Sequence, residues 1–299
     1  LLVNYYAIGH NSLPNYIALV SGQAPNPVTQ GDCQIYQDFF PGSPVQVAVN
    51  DQAVGQGCVF PVETQTIADQ LAKHRFTWRG YMEDMPAPCT HPALNTRDQT
   101  QTAKPGDQYA ARHNPFVYFH SLIDGPACAA NDVPLTALPA DLKHYATTPN
   151  YVFITPNLCH DGHDSPCVDG EPGGLISADA FLRHWVPQIL ASPAYQRDGL
   201  LLILFDEAEF SGPSADASAC CNEIPGPNSP LPGITGPGGG RVGAVVLSRF
   251  VRPGTLVTTP YNHYSLLRTI EDLFGLDHLG FAGQANANSF DLDVFVAVP

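Results

Sequence analysis

Apolar and polar positions along this chain recur at two periods, and the changes from one to the other mark its elements. The chain opens on an apolar run, residues 1–8 (L-L-V-N-Y-Y-A-I), which reads as a buried strand or extended segment. Residues 15–20 (N-Y-I-A-L-V) are apolar enough for a short buried helix, with Pro14 in its first turn, where a missing N–H costs nothing. Residues 23–63 are loop-rich, punctuated by Gly31, Pro41, Gly42 and Gly57. From Thr64, T-Q-T-I-A-D-Q-L-A-K-H-R predicts an amphipathic helix with Ile67, Leu71 and Ala72 on one face, and Phe76–Met82 predicts a strand. Residues 84–112 form a loop, and 135–144 a short helix interrupted by Pro139 or containing it near its start.

The second half is more strongly patterned. Tyr151–Thr155 is a β-branched and aromatic strand. Ser177–Leu190 predicts a helix capped by Ser177 and kinked near Pro187. The unbroken apolar run Gly199–Phe205 suits the centre strand of a parallel sheet. A Gly/Pro/Ser-rich loop, 211–240, reads as a lid or insertion, since it lies between strands. Arg241–Ser248 is a further strand, and Tyr264–Gly275 a helix closed by Gly275. Strands alternating with helices predict one α/β domain with a mostly parallel sheet.

In such sheets ligands bind beyond the carboxyl ends of the strands, and polar clusters stand there. Strand 151–155 runs into Asn157, His160, Asp161, His163 and Asp164, flanked by Cys159 and Cys167. That mixture of N and O donors suits a metal site, and equally a polar turn tied by a disulfide. Strand 199–205 ends in Asp206, Glu207 and Glu209; adjacent carboxylates repel unless a cation lies between them or water solvates them. Ser12 sits at the mouth of the first helix, beside N–H groups expected to be unpaired, as a cap or as a nucleophile toward an anionic electrophile. His263 precedes the last helix, His113 precedes Asn114-Pro115, and His10 is a weaker candidate beside Ser12.

Charge narrows the field. Thirteen basic residues against 28 acidic ones give a net charge of −15, with no clustered Lys and Arg to suit nucleic acid or an anionic membrane. An acidic protein that handles phosphate esters needs bound cations to offset its own field. No 18-residue apolar run is present, so no membrane span is expected. The eight cysteines show no paired C-x-x-C pattern and predict disulfides in an oxidising compartment. Cys33–Cys58, Cys89–Cys128 and Cys159–Cys167 are plausible local pairs; Cys220 and Cys221 pair with each other or with separate partners.

The segments S-L-P-N-Y (12–16), P-N-L-C-H-D-G-H-D (156–164) and Y-N-H-Y-S-L-L-R-T-I-E-D (261–272) together resemble the phosphoesterase family of the alkaline-phosphatase-like superfamily, which contains acid phosphatases and phospholipase C-type enzymes. Asn11 stands where that family usually carries Pro. The resemblance, spread from residue 5 to about 276, implies a three-layer α/β/α sandwich and a secreted, metal-dependent phosphoric ester hydrolase. Its implied nucleophile is Ser12, also a metal contact; Asn157, Asp161, His163, Asp206 and Glu207 join it around divalent cations, with His113 and His263 catalytic. The implied substrate is a phosphate monoester, with a phospholipase C-type diester or non-catalytic phosphate or metal binding as the alternatives. No partner protein is implied. Relatives also carry a strand ending in a Glu-Asn-type pair ahead of the nucleophile, which is expected to lie before Leu1.

Overall fold

A computed structural model describes residues 1–42 and 46–296; residues 43–45 of the predicted 23–63 loop lie outside it. Helix α1 spans Ser12–Ser21 and buries Leu13, Ile17, Ala18 and Val20. It ends because Gly22 turns left-handed (φ 66°), its N–H bonding to the Ala18 carbonyl. Helix α2, Ile67–Lys73, starts at a reciprocal capping box between Thr66 and Asp69. Helix α3 spans Gly174–Ala191 and contains Pro187. Its start corrects the expected cap: Ser177 lies inside the first turn, and its Oγ accepts the Gly173 N–H at 3.0 Å. Helix α4, His263–Phe274, is capped by the Asn262 side chain on the Ser265 N–H and closed by Gly275.

Apart from two short antiparallel pairs, 35–36 with 96–97 and 46–47 with 53–54, the described strands fall into two groups. Trp78–Met82 (β2) is flanked in parallel by Asp132–Pro134 (β3) and by Tyr151–Thr155 (β4), with Trp78 opposite Tyr151 and Met82 opposite Thr155. Gly80 is required there, because a Cβ would come within 2.8 Å of the Phe116 ring. In the other group, Tyr5–Tyr6 (β1) runs parallel to Tyr261–Asn262 (β7), while Leu2 bridges to both Ala244 and Val257.

The apolar run Leu200–Leu204 (β5) is not the centre of a parallel sheet. It pairs antiparallel with Ala244–Ser248 (β6), Leu204 opposite Ala244. No ladder joins β4 to β5 among the described residues, and both strands are mostly half-buried. A continuous apolar run identifies a strand with two covered faces; it carries nothing about which strand pairs with it.

One cluster of buried side chains, including Leu13, Ile17, Phe60, Trp78, Phe116 and Leu267, spans both groups. Tyr151, Phe153, Leu200 and Leu202 pack against it. Helix α1 lies against α4. Residues 211–240 contain no helix or strand, yet are pinned: Asn228 exchanges hydrogen bonds with Gly55 and Ala53, and Gln30 Nε2 donates to the Leu231 and Pro232 carbonyls. Four disulfides, Cys33–Cys58, Cys89–Cys128, Cys159–Cys167 and Cys220–Cys221, staple the loops. No helix is long and apolar enough to cross a membrane, among the described residues.

The Gly22 turn joins α1 to the far side of the core. Its carbonyl accepts the Phe281 N–H at 2.8 Å, and a Cβ on it would meet the Leu279 carbonyl oxygen at 2.3 Å. Gly22→Ala combines a left-handed backbone with overpacking and is expected to cost about 2 kcal/mol or more. Urea unfolding of the purified variant measures this.

Candidate active site

The start of α1 organises the site. Asn11 adopts φ 65° with ψ 154°, outside the left-handed helical region that Asn tolerates and strained for any residue but glycine, and turns the chain so that Ser12 heads the helix. Asn15, fully buried, accepts the Ile8 and Gly9 N–H groups at 2.9 and 3.0 Å and so fixes this turn from within. The N–H groups of the first turn are not unpaired, contrary to expectation. Glu207 Oε2 accepts the Asn11 N–H at 3.0 Å, and Asp32 Oδ1 accepts that of Leu13 at 2.9 Å; Asp32 also takes the Ser12 N–H. The positive end of the helix is already occupied by the protein's own carboxylates.

Ser12 Oγ lies 3.1 Å from His113 Nε2 and near the Asp206 carboxylate, whose charged form it favours. With the hydroxyl proton on the Asp206 side, His113 Nε2–H donates to Oγ. His113 is buried and stacked on Tyr16 at 5.3 Å. Burial, reinforced by Arg112 and His163, lowers its pKa well below the ordinary value, so it is neutral. Its Nδ1 is buried without a hydrogen-bond partner, 4.0 Å from Asp161 Oδ2.

Asp161, Asp206 and Glu207 follow the carboxyl ends of β4 and β5 and meet Asp32 here. Desolvation is the leading cause in every case: it lifts Asp32, Asp161 and Glu207 to about 6 and raises Asp206 too. Their mutual repulsion adds to it, Asp206 acting on each of the others. Arg112, 3.7 Å from Asp32 Oδ2, is the opposing cation. Glu207 Oε2 also contacts His10 Nδ1 at 2.9 Å, while His10 Nε2 faces the Asp216 carbonyl at 3.0 Å. Each nitrogen of His10 thus faces an acceptor.

Three of the predicted residues stand apart. His263 is fully buried behind the site: Nε2–H donates to the Asp206 carbonyl at 2.7 Å and Nδ1 accepts from Tyr5 Oη at 3.0 Å. Burial lowers it to about 4, so it positions Asp206 as a neutral ring and does not face the hydroxyl. Asn157 is spent on structure: Nδ2 bonds Asp84 at 2.7 Å, and Oδ1 accepts the Cys159 and His160 N–H groups. This is the disulfide-tied polar turn, not a ligand geometry. The His163 side chain is 85% exposed and leans on Asp164, only its N–H reaching Asp161.

Asp32, Arg112 and Tyr16 complete the site and were not predicted in it; His10, the weaker candidate, clamps Glu207. Asp32 sits next to Cys33 in a loop with no strand to announce it; its one signal is an acid fixed by a disulfide shortly after the nucleophile helix.

The donor chemistry fits a hard divalent cation. Asp206 and the free Oε1 of Glu207 offer carboxylate oxygens beside the Ser12 hydroxyl, and the acidic surplus is buried with one guanidinium against it. The tight His/Cys/Asp/Glu groupings among the described residues lie elsewhere and include disulfide-bonded cysteines.

A model described as the Phosphoesterase family matches residues 1–277. The chain belongs to the phosphoesterase family. It is 26% identical to a phosphate-repressible acid phosphatase of Penicillium chrysogenum over 94% of this chain and 53% of that protein. It is 27% identical to a probable acid phosphatase of Kluyveromyces lactis, over 95% and 54% respectively. Identity to a phosphatidylinositol-3-phosphatase of Mycobacterium tuberculosis is 25%, over 95% of this chain and 69% of that one. The chain thus spans about half the length of the fungal relatives. A protein of the alkaline phosphatase superfamily from Vibrio parahaemolyticus aligns over 97% of this chain and 71% of its own, at 11% identity and TM-score 0.42.

The raised carboxyls make this phosphoesterase's stability pH-dependent. A carboxyl lifted from 3.8 to about 6 binds its proton more tightly folded than unfolded, so its contribution is full below the lower value and lost as pH rises through about 6. Asp32→Asn removes one such group. Its melting temperature relative to wild type, in chelator, is expected to improve steadily from pH 4 to pH 7. A difference that does not change with pH excludes a buried, proton-binding Asp32.

Proposed function

We propose that this phosphoesterase is a phosphomonoesterase that works through a phosphorylated Ser12. The observation that carries the reading is the placing of one hydroxyl at a helix start between a carboxylate and a neutral imidazole. Asp206, raised above the ordinary carboxyl range by burial, is a more basic acceptor for the Ser12 proton than an exposed carboxylate. Ser12 Oγ bonds to phosphorus as the ester oxygen departs. Water then attacks the same phosphorus, and Oγ recovers a proton as phosphate leaves. His113 keeps Oγ aimed, and its neutral ring adds no charge that would hold phosphate after the reaction. His263 and Tyr5 hold the Asp206 backbone, and His10 holds Glu207.

Because the helix N–H groups are taken by Asp32 and Glu207, positive charge for the phosphoryl oxygens has to come from elsewhere. A divalent cation held by Asp206 and Glu207 with the Ser12 oxygen would supply it, lowering the cost of charge on attacking and non-bridging oxygens. We read Asp161 as a further oxygen donor nearby and His163 as a rim residue that meets the substrate. The acid phosphatases among its relatives favour a monoester, and four disulfides favour a secreted enzyme.

Hydrolysis of p-nitrophenyl phosphate, before and after chelation and with divalent metals restored, tests this directly. Turnover is expected to vanish in chelator and return with metal. Ser12→Ala is expected to lower kcat more than about a thousandfold with an unchanged circular dichroism spectrum. Retained activity in that variant excludes Ser12 as nucleophile.

A further inference from the structure

Asp98 is a buried acid on an exposed stretch of the 84–112 loop: it is 2% exposed, while residues 93–97 and Gln99 around it are exposed. Three neutral donors hold its carboxylate. Oδ1 accepts the Thr100 N–H and the Thr100 hydroxyl, both at 2.8 Å, and Oδ2 accepts Gln101 Nε2 at 2.7 Å. Withdrawing a carboxylate from water costs free energy that such bonds offset. The Asp98 N–H bonds the Gln34 carbonyl at 3.0 Å beside the strand pair 35–36 with 96–97, which fixes the loop against the chain that follows Asp32.

From Thr100 and Gln101 the hydrogen bonds run to both partners of the Ser12–His113 contact. On the serine side, Gln101 Nε2 also donates to the Asp32 carbonyl at 2.8 Å, and Asp32 Oδ1 holds the Leu13 N–H next to Ser12. On the histidine side, Thr100 Oγ1 accepts the Ala111 N–H at 2.8 Å, and the Gln101 carbonyl accepts from Arg112 Nη1 at 3.1 Å. Ala111 and Arg112 begin the short helical turn that ends in His113. Asp98 takes the Thr100 hydroxyl proton and so leaves the oxygen free to accept from Ala111. Arg112 Nε, 3.7 Å from Asp32 Oδ2, closes the circuit between the two sides.

We propose that Asp98 is a positioning residue: through Thr100 and Gln101 it sets the distance between the Ser12 hydroxyl and the His113 ring. The inference rests on the reading of Ser12 as nucleophile with His113 aiming it. Asn cannot take its place, because one amide oxygen remains for three donors and an NH₂ group is brought against another donor. A polar network with every member satisfied specifies one arrangement, and a half-satisfied one does not.

Thr100→Val removes the hydroxyl at nearly constant shape, Thr100→Ser keeps it, and Asp98→Asn breaks the network at its centre. Crystal structures and p-nitrophenyl phosphate kinetics with divalent metal are obtained for the wild type and all three. In Thr100→Val and Asp98→Asn the distance from Ser12 Oγ to His113 Nε2 is expected to exceed about 3.5 Å, and in Thr100→Ser to stay at the wild-type value. Those two variants are expected to lower kcat at least about tenfold with KM changed less than about twofold, and Thr100→Ser to keep wild-type kcat. In a His113→Ala background Thr100→Val is expected to cost nothing further, since its effect passes through that ring. Where Asp98→Asn does not fold, Thr100→Val carries the test with the buried acid in place. A distance that stays at 3.1 Å, a loss that Thr100→Ser shares, or an equal Thr100→Val loss with and without His113 overturns the assignment. A wild type that turns over no phosphate ester removes the phosphatase reading, and the crystallographic distances still decide the role of Asp98.

Discussion

Too many carboxylates are gathered around a single hydroxyl in this protein. Asp32, Asp161, Asp206 and Glu207 converge near Ser12, and one guanidinium, that of Arg112, stands against them. Carboxyls withdrawn from water stay charged only where hydrogen bonds or cations reward the charge. Two are rewarded by the open end of α1: Asp32 takes the Ser12 and Leu13 N–H groups and Glu207 takes that of Asn11. A helix N-terminus commonly binds a ligand anion, but here it neutralises the protein's own acids. The remaining surplus is buried negative charge with only Arg112 against it.

The supporting structure exists to hold this arrangement still. Buried Asn15 ties the turn before the helix, and Gly22 ends the helix against the opposite side of the core. The Tyr5–His263–Asp206 chain connects the first strand, the last helix and the end of β5 through two hydrogen bonds. His263 has to be neutral for this, since one nitrogen accepts while the other donates, and full burial keeps it so. His10 contacts Glu207 from the other side, with its second nitrogen on the Asp216 carbonyl. The irregular 211–240 segment joins the frame through Asp216, Asn228 and the Gln30 contacts.

Much of this was legible in the chain itself. α1 begins close to where Pro14 announces it, and α4 ends where Gly275 does. The local disulfide pairs follow from short loop lengths, and the adjacent cysteines close on each other. Ser12, His113, Asp161, Asp206 and Glu207 are signalled by their places at a helix start, before a proline, or after apolar strands. The errors were of another kind. β5 was assigned a central parallel role because hydrophobicity reports burial of faces and is silent on strand direction. Asn157 and His263 have the chemistry of site residues, but their side chains are consumed by neighbours that no spacing rule brings together.

What the amino-acid order determined alone was local: where backbone geometry stops a helix, which runs are apolar, which acids follow them, and how much negative charge the protein carries. These depend on contacts within a few residues or on sums over the chain. The tertiary structure decided which acids meet. Asp32 is 20 positions from Ser12 and Glu207 is 195 away, and they reach the same helix turn only because separate elements pack on one core. It also decided which histidine touches the hydroxyl, since His113 and His263 differ in what surrounds them and not in kind. Hydrogen bonding and desolvation are properties of a place, and the place is made by folding.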